Sequence, residues 1–198
     1  MFTIPYIQEK LDYDRNKLVN SIRAHSETLK VPNPWPKQSE VISSLASGGE
    51  DSWQDQDLFK QMYPLIVKFL KKTMDMNVKV QCHMWYNIYN TGYMQEAHAH
   101  HGVGSLASGI VYVRYPKGST ATTFLSPMRH YFNACQYKED YTMFTPDVTE
   151  GDCIIFPPWL EHRVDKQTNI DRSRITVAFN VIASSCLLYT SDAADDYR

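Results

Sequence analysis

The sequence predicts a mainly β protein of the α+β class, in which N-terminal helices support a jelly-roll or similar double-sheet barrel. Two observations predict it. Apolar residues recur at helical spacing before about residue 76, and from residue 77 onward short alternating segments are separated by turn residues. A chain of 198 residues can bury the core of one domain without a structural metal or disulfides. A metal site in it would therefore serve function.

The helices are predicted over 14–29 and 58–70, and the apolar stripe of the second is the strongest in the chain. A short strand over 2–7 precedes them. The strands of the barrel are predicted over 78–89, 106–114, 120–125, 141–145, 152–156, 161–165 and 174–182. We therefore expect one domain over 1–185, with helical support in 1–76 and the jelly-roll core in 77–185.

The segment 186–198 is interpreted separately, because its sequence CLLYTSDAADDYR resembles a translated sequencing adapter, an artefact of fragmentary assemblies. The formal charge of the chain is −2, and this segment carries all of it. A neutral remainder without a basic tract argues against a nucleic-acid or membrane partner.

The four cysteines form no C-x-x-C pair, and Met1 leads straight into a charged segment. We expect a cytoplasmic protein with free thiols.

Three of the seven histidines lie within four residues: His98, His100 and His101. On an extended segment residues i and i+2 project to the same side, so His98 and His100 can reach one metal ion while His101 points away. Further along, a tight turn, an apolar strand and a Pro-Pro bend place His162 at the start of the next strand. This histidine completes a three-ligand set across the barrel.

The last strand alternates, placing Arg174, Thr176 and Asn180 on one face and apolar residues on the other. The arginine then lies either on the solvent surface or inside the barrel, holding an anion. A guanidinium group matches a carboxylate in a bidentate fork, so an Arg-x-Thr pair suits the distal carboxylate of a dicarboxylate. Arg172, on the same face, is the alternative if the register differs by two.

Several motifs follow one another in a fixed order: Trp85-Tyr86-Asn87-Ile88-Tyr89, Gly92, Gln95, His98-Ala99-His100, Ser108-Gly109-Ile110-Val111-Tyr112-Val113, Gly151-Asp152 through His162, and Arg174-Ile175-Thr176 with Phe179-Asn180. In this order they resemble the 2-oxoglutarate- and iron(II)-dependent oxygenase superfamily, and within it the oxygenases common in phage and marine bacterial sequences. The resemblance covers about residues 78–182. It implies a double-stranded β-helix, which is a cupin-like jelly roll, and a dioxygenase that hydroxylates its prime substrate with release of succinate and CO2. A phage enzyme would act in the host cytoplasm.

The resemblance also assigns the metal ligands. His98 matches the first histidine of the superfamily's His-x-Asp pair, and His162 matches its distal histidine. His100 stands where the superfamily usually has a carboxylate, so the implied iron(II) site is all-histidine, with His98, His100 and His162 as the catalytic centre. Three neutral ligands leave one more unit of positive charge, which should weaken retention of iron(II) and favour anionic co-ligands.

By the same resemblance Arg174 binds the distal carboxylate of oxoglutarate, with Thr176 and Tyr112 as further contacts. Oxoglutarate and O2 are the implied co-substrates. Residues on the inward strand faces are the predicted contacts to the prime substrate: Trp85, Asn87 and Asn180.

The residues alone are also compatible with two other functions. A cupin-type all-histidine dioxygenase would need no oxoglutarate, and Arg174 would then contact the substrate itself. A non-catalytic metal-binding or virion-associated barrel would carry the histidines as structural or solvated groups. Imidazole also suits zinc, copper and nickel, so iron follows from the resemblance alone. Formation of succinate distinguishes the oxoglutarate enzyme from both.

Overall fold

The protein's structure is a computed structural model that describes residues 4–29, 41–45, 53–100, 104–136, 138 and 141–184. Within these ranges the elements are β1 (Ile7–Lys10), α1 (Arg15–Thr28), β2 (Ile42–Ser43), α2 (Gln56–Met74), β3 (Val80–Tyr89), β4 (Gln95–His98), β5 (Ser105–Arg114), β6 (Thr122–Leu125), α3 (Arg129–Ala134), β7 (Met143–Phe144), β8 (Asp152–Phe156), β9 (His162–Val164) and β10 (Arg174–Ala183). His101 and the segment 186–198 lie outside the described residues. Among the helices described, none is both long and apolar enough to cross a membrane.

The two long helices begin at capping aspartates. Asp14 accepts a hydrogen bond from the backbone N of Lys17 at 3.0 Å, and Asp55 accepts one from that of Leu58 at 2.8 Å. Each carboxylate satisfies a backbone donor that the first helical turn leaves unpaired. The buried positions of α1 and α2 are those of the predicted stripes: Leu18, Val19 and Ile22, and Leu58, Met62, Leu65, Ile66, Phe69 and Leu70.

The described strands form two antiparallel sheets, one in the order β1-β8-β5-β10-β3-β2 and one in the order β4-β9-β6-β7. The helices pack on the outer face of the larger sheet, where their apolar residues share one core with alternate residues of β3 and β10. The other face of that sheet is turned toward the smaller sheet. This arrangement confirms the predicted mainly β jelly roll with supporting helices.

Of the strand predicted over 2–7, residues 2 and 3 lie outside the described residues, and for 4–6 the prediction is wrong because they are not in a strand. Pairing of β1 with β8 begins only at Ile7, opposite Ile155, and continues to Lys10. Pro5 has no backbone N–H to contribute to a ladder, so 4–6 cannot extend the strand regularly. The other predicted strands agree with the structure to within a few residues, whereas β2 (Ile42–Ser43) and β4 (Gln95–His98) were not predicted.

Candidate metal and anion site

A small cavity, partly open to solvent, lies between the two sheets. The larger sheet contributes alternate residues of β3 and β10, and the smaller sheet contributes residues of β4, β6 and β9. The lining residues are Trp85, Asn87, Tyr89, Gln95, His98, His100, Ile110, Thr122, His162, Val164, Arg174, Thr176 and Ala178. The predicted histidines and the predicted arginine therefore share one cavity.

The three histidines meet where β4 pairs with β9. His98, the last residue of β4, is the direct partner of His162, the first residue of β9, and their ring centroids are 4.3 Å apart. The His100 ring lies 5.1 Å from that of His162, and the backbone N of His100 donates to Pro158 O at 2.9 Å. One nitrogen from each of the three rings lies within 4.8 Å of the other two. Two nitrogen ligands at roughly 2.1 Å from one ion lie at most about 4.2 Å apart, so the three rings converge on one point and would move somewhat closer together around a metal.

Hydrogen bonds orient two of these rings through the backbone. The Nδ1 atom of His98 lies 2.9 Å from Glu96 O, and that of His162 lies 2.9 Å from Leu160 O. A carbonyl oxygen can only accept, so the proton is on Nδ1 and the Nε2 lone pair faces away from it. Metal-binding histidines are commonly held in this way by an acceptor behind the ring.

Burial favours the neutral form of two of the three rings, and neutral imidazole is the form that binds a metal. Burial lowers the pKa of His98 below its usual value. Burial lowers the pKa of His162 much further, and the neighbouring His98 and His100 lower it in addition, because a proton on one ring repels a proton on the next. His162 is only 4% exposed and keeps its imidazole uncharged at neutral pH.

His100 is held differently, by side chains. Its Nδ1 atom lies 2.7 Å from Asn180 Oδ1 and 2.8 Å from Ser108 Oγ, and the Ser108 hydroxyl donates to the same Asn180 oxygen at 2.8 Å. The His100 ring also lies 5.6 Å from the Trp85 ring. Asn180, predicted to contact substrate, therefore lies behind the third histidine.

Arg174 occupies the opposite end of the cavity at the start of β10, and it is fully buried. Its guanidinium carbon lies 4.7 Å from the ring centre of Tyr89 and 5.3 Å from that of Tyr112. None of its three nitrogen atoms has a hydrogen-bond partner among the described residues. A buried cation without a partner is costly, and aromatic faces recover only part of that cost. A guanidinium in this position is chemically able to bind an anion that enters the cavity.

The two tyrosines whose rings contact the Arg174 guanidinium have hydrogen-bond partners for their hydroxyl groups. Tyr89 donates to Gln95 Oε1 at 2.6 Å, and burial raises the pKa of Tyr89 to about 12, so its hydroxyl stays protonated. Tyr112 Oη accepts from the backbone N of Thr122 at 3.2 Å. Arg172 is exposed and precedes β10, so it lies outside the cavity.

Most predicted site residues line the cavity, while Tyr112 packs against Arg174 and Asn180 packs against His100. Tyr89 and Gln95 also line it, although neither was predicted to have a role there. The alternation that placed Trp85 and Asn87 inward also placed Tyr89 there, and this signal could have identified it. Trp85 Nε1 and Asn87 Oδ1 are buried without hydrogen-bond partners among the described residues, so the cavity wall has one donor and one acceptor that a ligand can use.

Known proteins share both the sequence pattern and the fold. A family described as "Putative 2OG-Fe(II) oxygenase" matches residues 83–180. A prolyl-4-hydroxylase from Pseudomonas putida superposes with a TM-score of 0.63 at 10% identity, covering 92% of this chain and 94% of that chain. The non-heme alpha ketoglutarate dependent epimerase SnoN from nogalamycin biosynthesis gives 0.61 at 11% identity, covering 98% and 88%. HygX from Streptomyces hygroscopicus, crystallised with nickel and 2-oxoglutarate bound, gives 0.54 at 11% identity, covering 92% and 84%. No curated protein sequence matches the chain.

Proposed function

Because the chain belongs to the 2-oxoglutarate- and iron(II)-dependent oxygenase superfamily, we propose that it is a dioxygenase in which three histidines hold iron(II) and an arginine anchors oxoglutarate. The observation that carries the proposal is the buried, unpaired guanidinium of Arg174 in the same cavity as His98, His100 and His162. A site for metal alone would not require this cation. A dicarboxylate that chelates the metal at one end accounts for both groups.

The donor set fits iron(II). Three neutral imidazole nitrogens converge from β4, the segment after it and β9, and three protein donors leave coordination positions for an oxo acid and O2. When bound, iron(II) and oxoglutarate supply the oxidative decarboxylation by O2 that yields succinate, CO2 and the oxidising equivalent for hydroxylation. The backbone carbonyls behind His98 and His162 keep those rings in the tautomer that can bind.

The arginine end fits the distal carboxylate. Arg174 would bind it in a bidentate fork, and the hydroxyl of Thr176, two residues along β10, would add a hydrogen bond. The rings of Tyr89 and Tyr112 hold the guanidinium in place. Apolar side chains between the two ends, among them Ile110 and Ala178, exclude water and so strengthen the ion pair.

The third histidine changes the charge of the site. With iron(II) bound by three neutral ligands, the metal and Arg174 together present more positive charge than the same site would with a carboxylate ligand. A doubly charged oxoglutarate compensates for that charge. Binding of metal and of oxoglutarate should therefore be strongly coupled in this protein, each tightening the other by the same factor.

Three finer points belong to the same proposal. Residues 1–185 act as one oxygenase domain, in which 1–76 supports the catalytic core in 77–185. Trp85 and Asn87 contact the prime substrate, which their buried unpaired atoms support. The enzyme works in the cytoplasm, of a host cell if the gene is of phage origin. The free thiols of Cys82, Cys135 and Cys153 support a reducing compartment.

An anaerobic titration with iron(II) and oxoglutarate tests the proposal. The expected result is the weak visible charge-transfer band of the ternary complex, followed on exposure to O2 by succinate in a 1:1 ratio to oxoglutarate consumed. Glutarate, which has both carboxylates but no oxo group, is the matched control and should bind without producing the band. Folded, iron-loaded protein that consumes O2 without forming succinate would instead indicate the cupin-type reaction.

A further inference from the structure

We propose that Asn180, together with Ser108, is the positioning residue that makes His100 a metal ligand; this inference rests on the proposed function. Asn180 acts from behind the ring, by accepting the hydrogen that must be on Nδ1 if Nε2 is to bind a metal. It does not itself touch the metal.

The three ligands differ in what holds them. Behind His98 and His162 the acceptor is a backbone carbonyl, which can only accept and which fixes the tautomer of the ring. Behind His100 the partners are a side-chain amide at 2.7 Å and a hydroxyl at 2.8 Å. Both of these groups can donate as well as accept. The tautomer of His100 is therefore conditional on the orientation of its partners.

Register brings the two partners together. Asn180 on β10 is the direct neighbour of Ser108 on β5, so their side chains emerge side by side on the cavity face of the larger sheet. The Ser108 hydroxyl is fully buried and donates to Asn180 Oδ1 at 2.8 Å. The amide oxygen thus receives two hydrogen bonds, one from the serine and one from the imidazole.

The direction of these bonds decides the chemistry of the third ligand. With Oδ1 facing the ring, Nδ1 of His100 must donate, and the lone pair is left on Nε2 for a metal. If the amide were rotated so that Nδ2 faced inward, Nδ1 would have to accept and the proton would move to Nε2. That tautomer cannot ligate through Nε2.

The tautomer of His100 must be fixed because His100 stands where a carboxylate ligand is usual. A carboxylate ligand has two equivalent oxygens and no tautomer to fix, whereas an imidazole binds only in one of two neutral forms. Without the amide, Ser108 alone would face the ring, and its rotatable hydroxyl can stabilise either form. A population of the wrong tautomer lowers the apparent affinity by the fraction that remains competent, and loss of the acceptor also frees the orientation of the ring and lowers its basicity, which weakens binding further.

The experiment uses the full chain and cobalt(II) as the only added ligand. Cobalt affinity is measured by calorimetry, and the ring nitrogens of the metal-free protein are observed by ¹⁵N NMR, with His100 assigned from a His100→Gln variant. We expect Asn180→Ala to weaken cobalt binding about 10- to 100-fold, as losses of outer partners of metal ligands typically do. The His100 nitrogens should move from the Nδ1–H pattern toward an average of both tautomers, while His98 and His162 stay unchanged.

Two further variants separate hydrogen bonding from packing. Asn180→Asp keeps the shape and can only accept, so it should restore wild-type cobalt affinity or exceed it. Asn90→Ala is the matched control, since Asn90 Oδ1 accepts from the Ser173 hydroxyl at 2.7 Å away from the histidines. It should leave both readouts unchanged. If Asn180→Ala does not fold, Ser108→Ala takes its place, with a smaller shift expected in the same direction.

An unchanged His100 tautomer and cobalt affinity in the alanine variants would overturn the proposal, as would failure of Asn180→Asp to restore binding. An equal loss in Asn90→Ala would overturn it too, because the effect would then be one of general stability. Neither readout involves oxoglutarate. Absence of succinate would therefore refute the proposed reaction while leaving this inference standing, and an unchanged tautomer would do the reverse.

Discussion

Replacing Arg174 by methionine should have opposite effects on ligand binding and on stability. Methionine keeps much of the length of the side chain but carries no charge and no donors. The arginine is fully buried, and none of its nitrogens has a hydrogen-bond partner in the described part of the chain. Its removal should therefore stabilise the empty protein while abolishing the site for the distal carboxylate.

The magnitudes follow from the surroundings. Two charge-assisted hydrogen bonds to a carboxylate contribute roughly 1.5–3 kcal/mol each, so oxoglutarate should bind about 10²- to 10⁴-fold more weakly. Burying an unsatisfied donor costs about 1–3 kcal/mol. Part of this is already recovered by the faces of Tyr89 and Tyr112, at about 0.5–2 kcal/mol each. Three nitrogens carry this cost, about 3–9 kcal/mol in all, and the two rings recover about 1–4 kcal/mol of it, so the free energy of unfolding of the ligand-free protein should rise by about 2–5 kcal/mol.

Calorimetry with cobalt(II)-loaded protein measures the first effect, and denaturant unfolding of the metal-free protein measures the second. Arg114→Met is the matched control, because Arg114 is also buried, lies on the neighbouring strand and donates from Nε to Ser173 O at 2.8 Å. It should lose stability and keep its affinity for oxoglutarate. A destabilised Arg174→Met variant with unchanged affinity would refute the reasoning, since the guanidinium would then be a structural group.

Three further predictions concern the histidines, the sheet and the charge. The metal-free protein should lose stability as the pH falls below about 6.5, by up to about 1.4 kcal/mol per pH unit from His162, because the unfolded chain takes up a proton that the buried ring does not. His162→Phe should flatten that slope in unfolding measured from pH 7.5 to 5.5. Gly109→Ala should cost about 1–3 kcal/mol, because its Cβ would lie 2.1 Å from the Phe179 ring, and Phe179→Leu should recover part of the loss in the double variant. Saturating oxoglutarate should tighten iron(II) binding about 5- to 150-fold in calorimetry, and equal affinities with and without it would contradict the charge argument.

Most of the fold could be predicted because its strands alternate cleanly. On β3 and β10 one face is apolar and packs under the helices, and the other carries the polar residues that line the cavity. The position of β1 could not be predicted from its own residues. Its bounds are set by pairing with β8 from Ile7 onward, a contact with a segment about 145 residues away along the chain.

Alternation also predicted which side chains of the site point inward, since it requires only local sequence. It could not tell which of them reach the cavity. Asn180 and Ser108 meet because β10 pairs with β5 in a register that includes two irregularities, and no local pattern encodes these shifts. Tyr112, expected to contact oxoglutarate directly, packs its ring against Arg174 of the neighbouring strand, and alternation alone does not predict this contact.

Both ends of the cavity would carry positive charge without a compensating anion, and this restricts the ligands that can bind there. At one end three neutral imidazoles would leave the full charge of a divalent metal uncompensated, and at the other a guanidinium is buried without an acceptor. A monoanion could satisfy one end only. A dianion long enough to reach both ends would satisfy both. Since a ligand that binds only the folded state stabilises it by about 2.7 kcal/mol at 100 times its dissociation constant, the folded protein should depend on metal and oxoglutarate together more than on either alone.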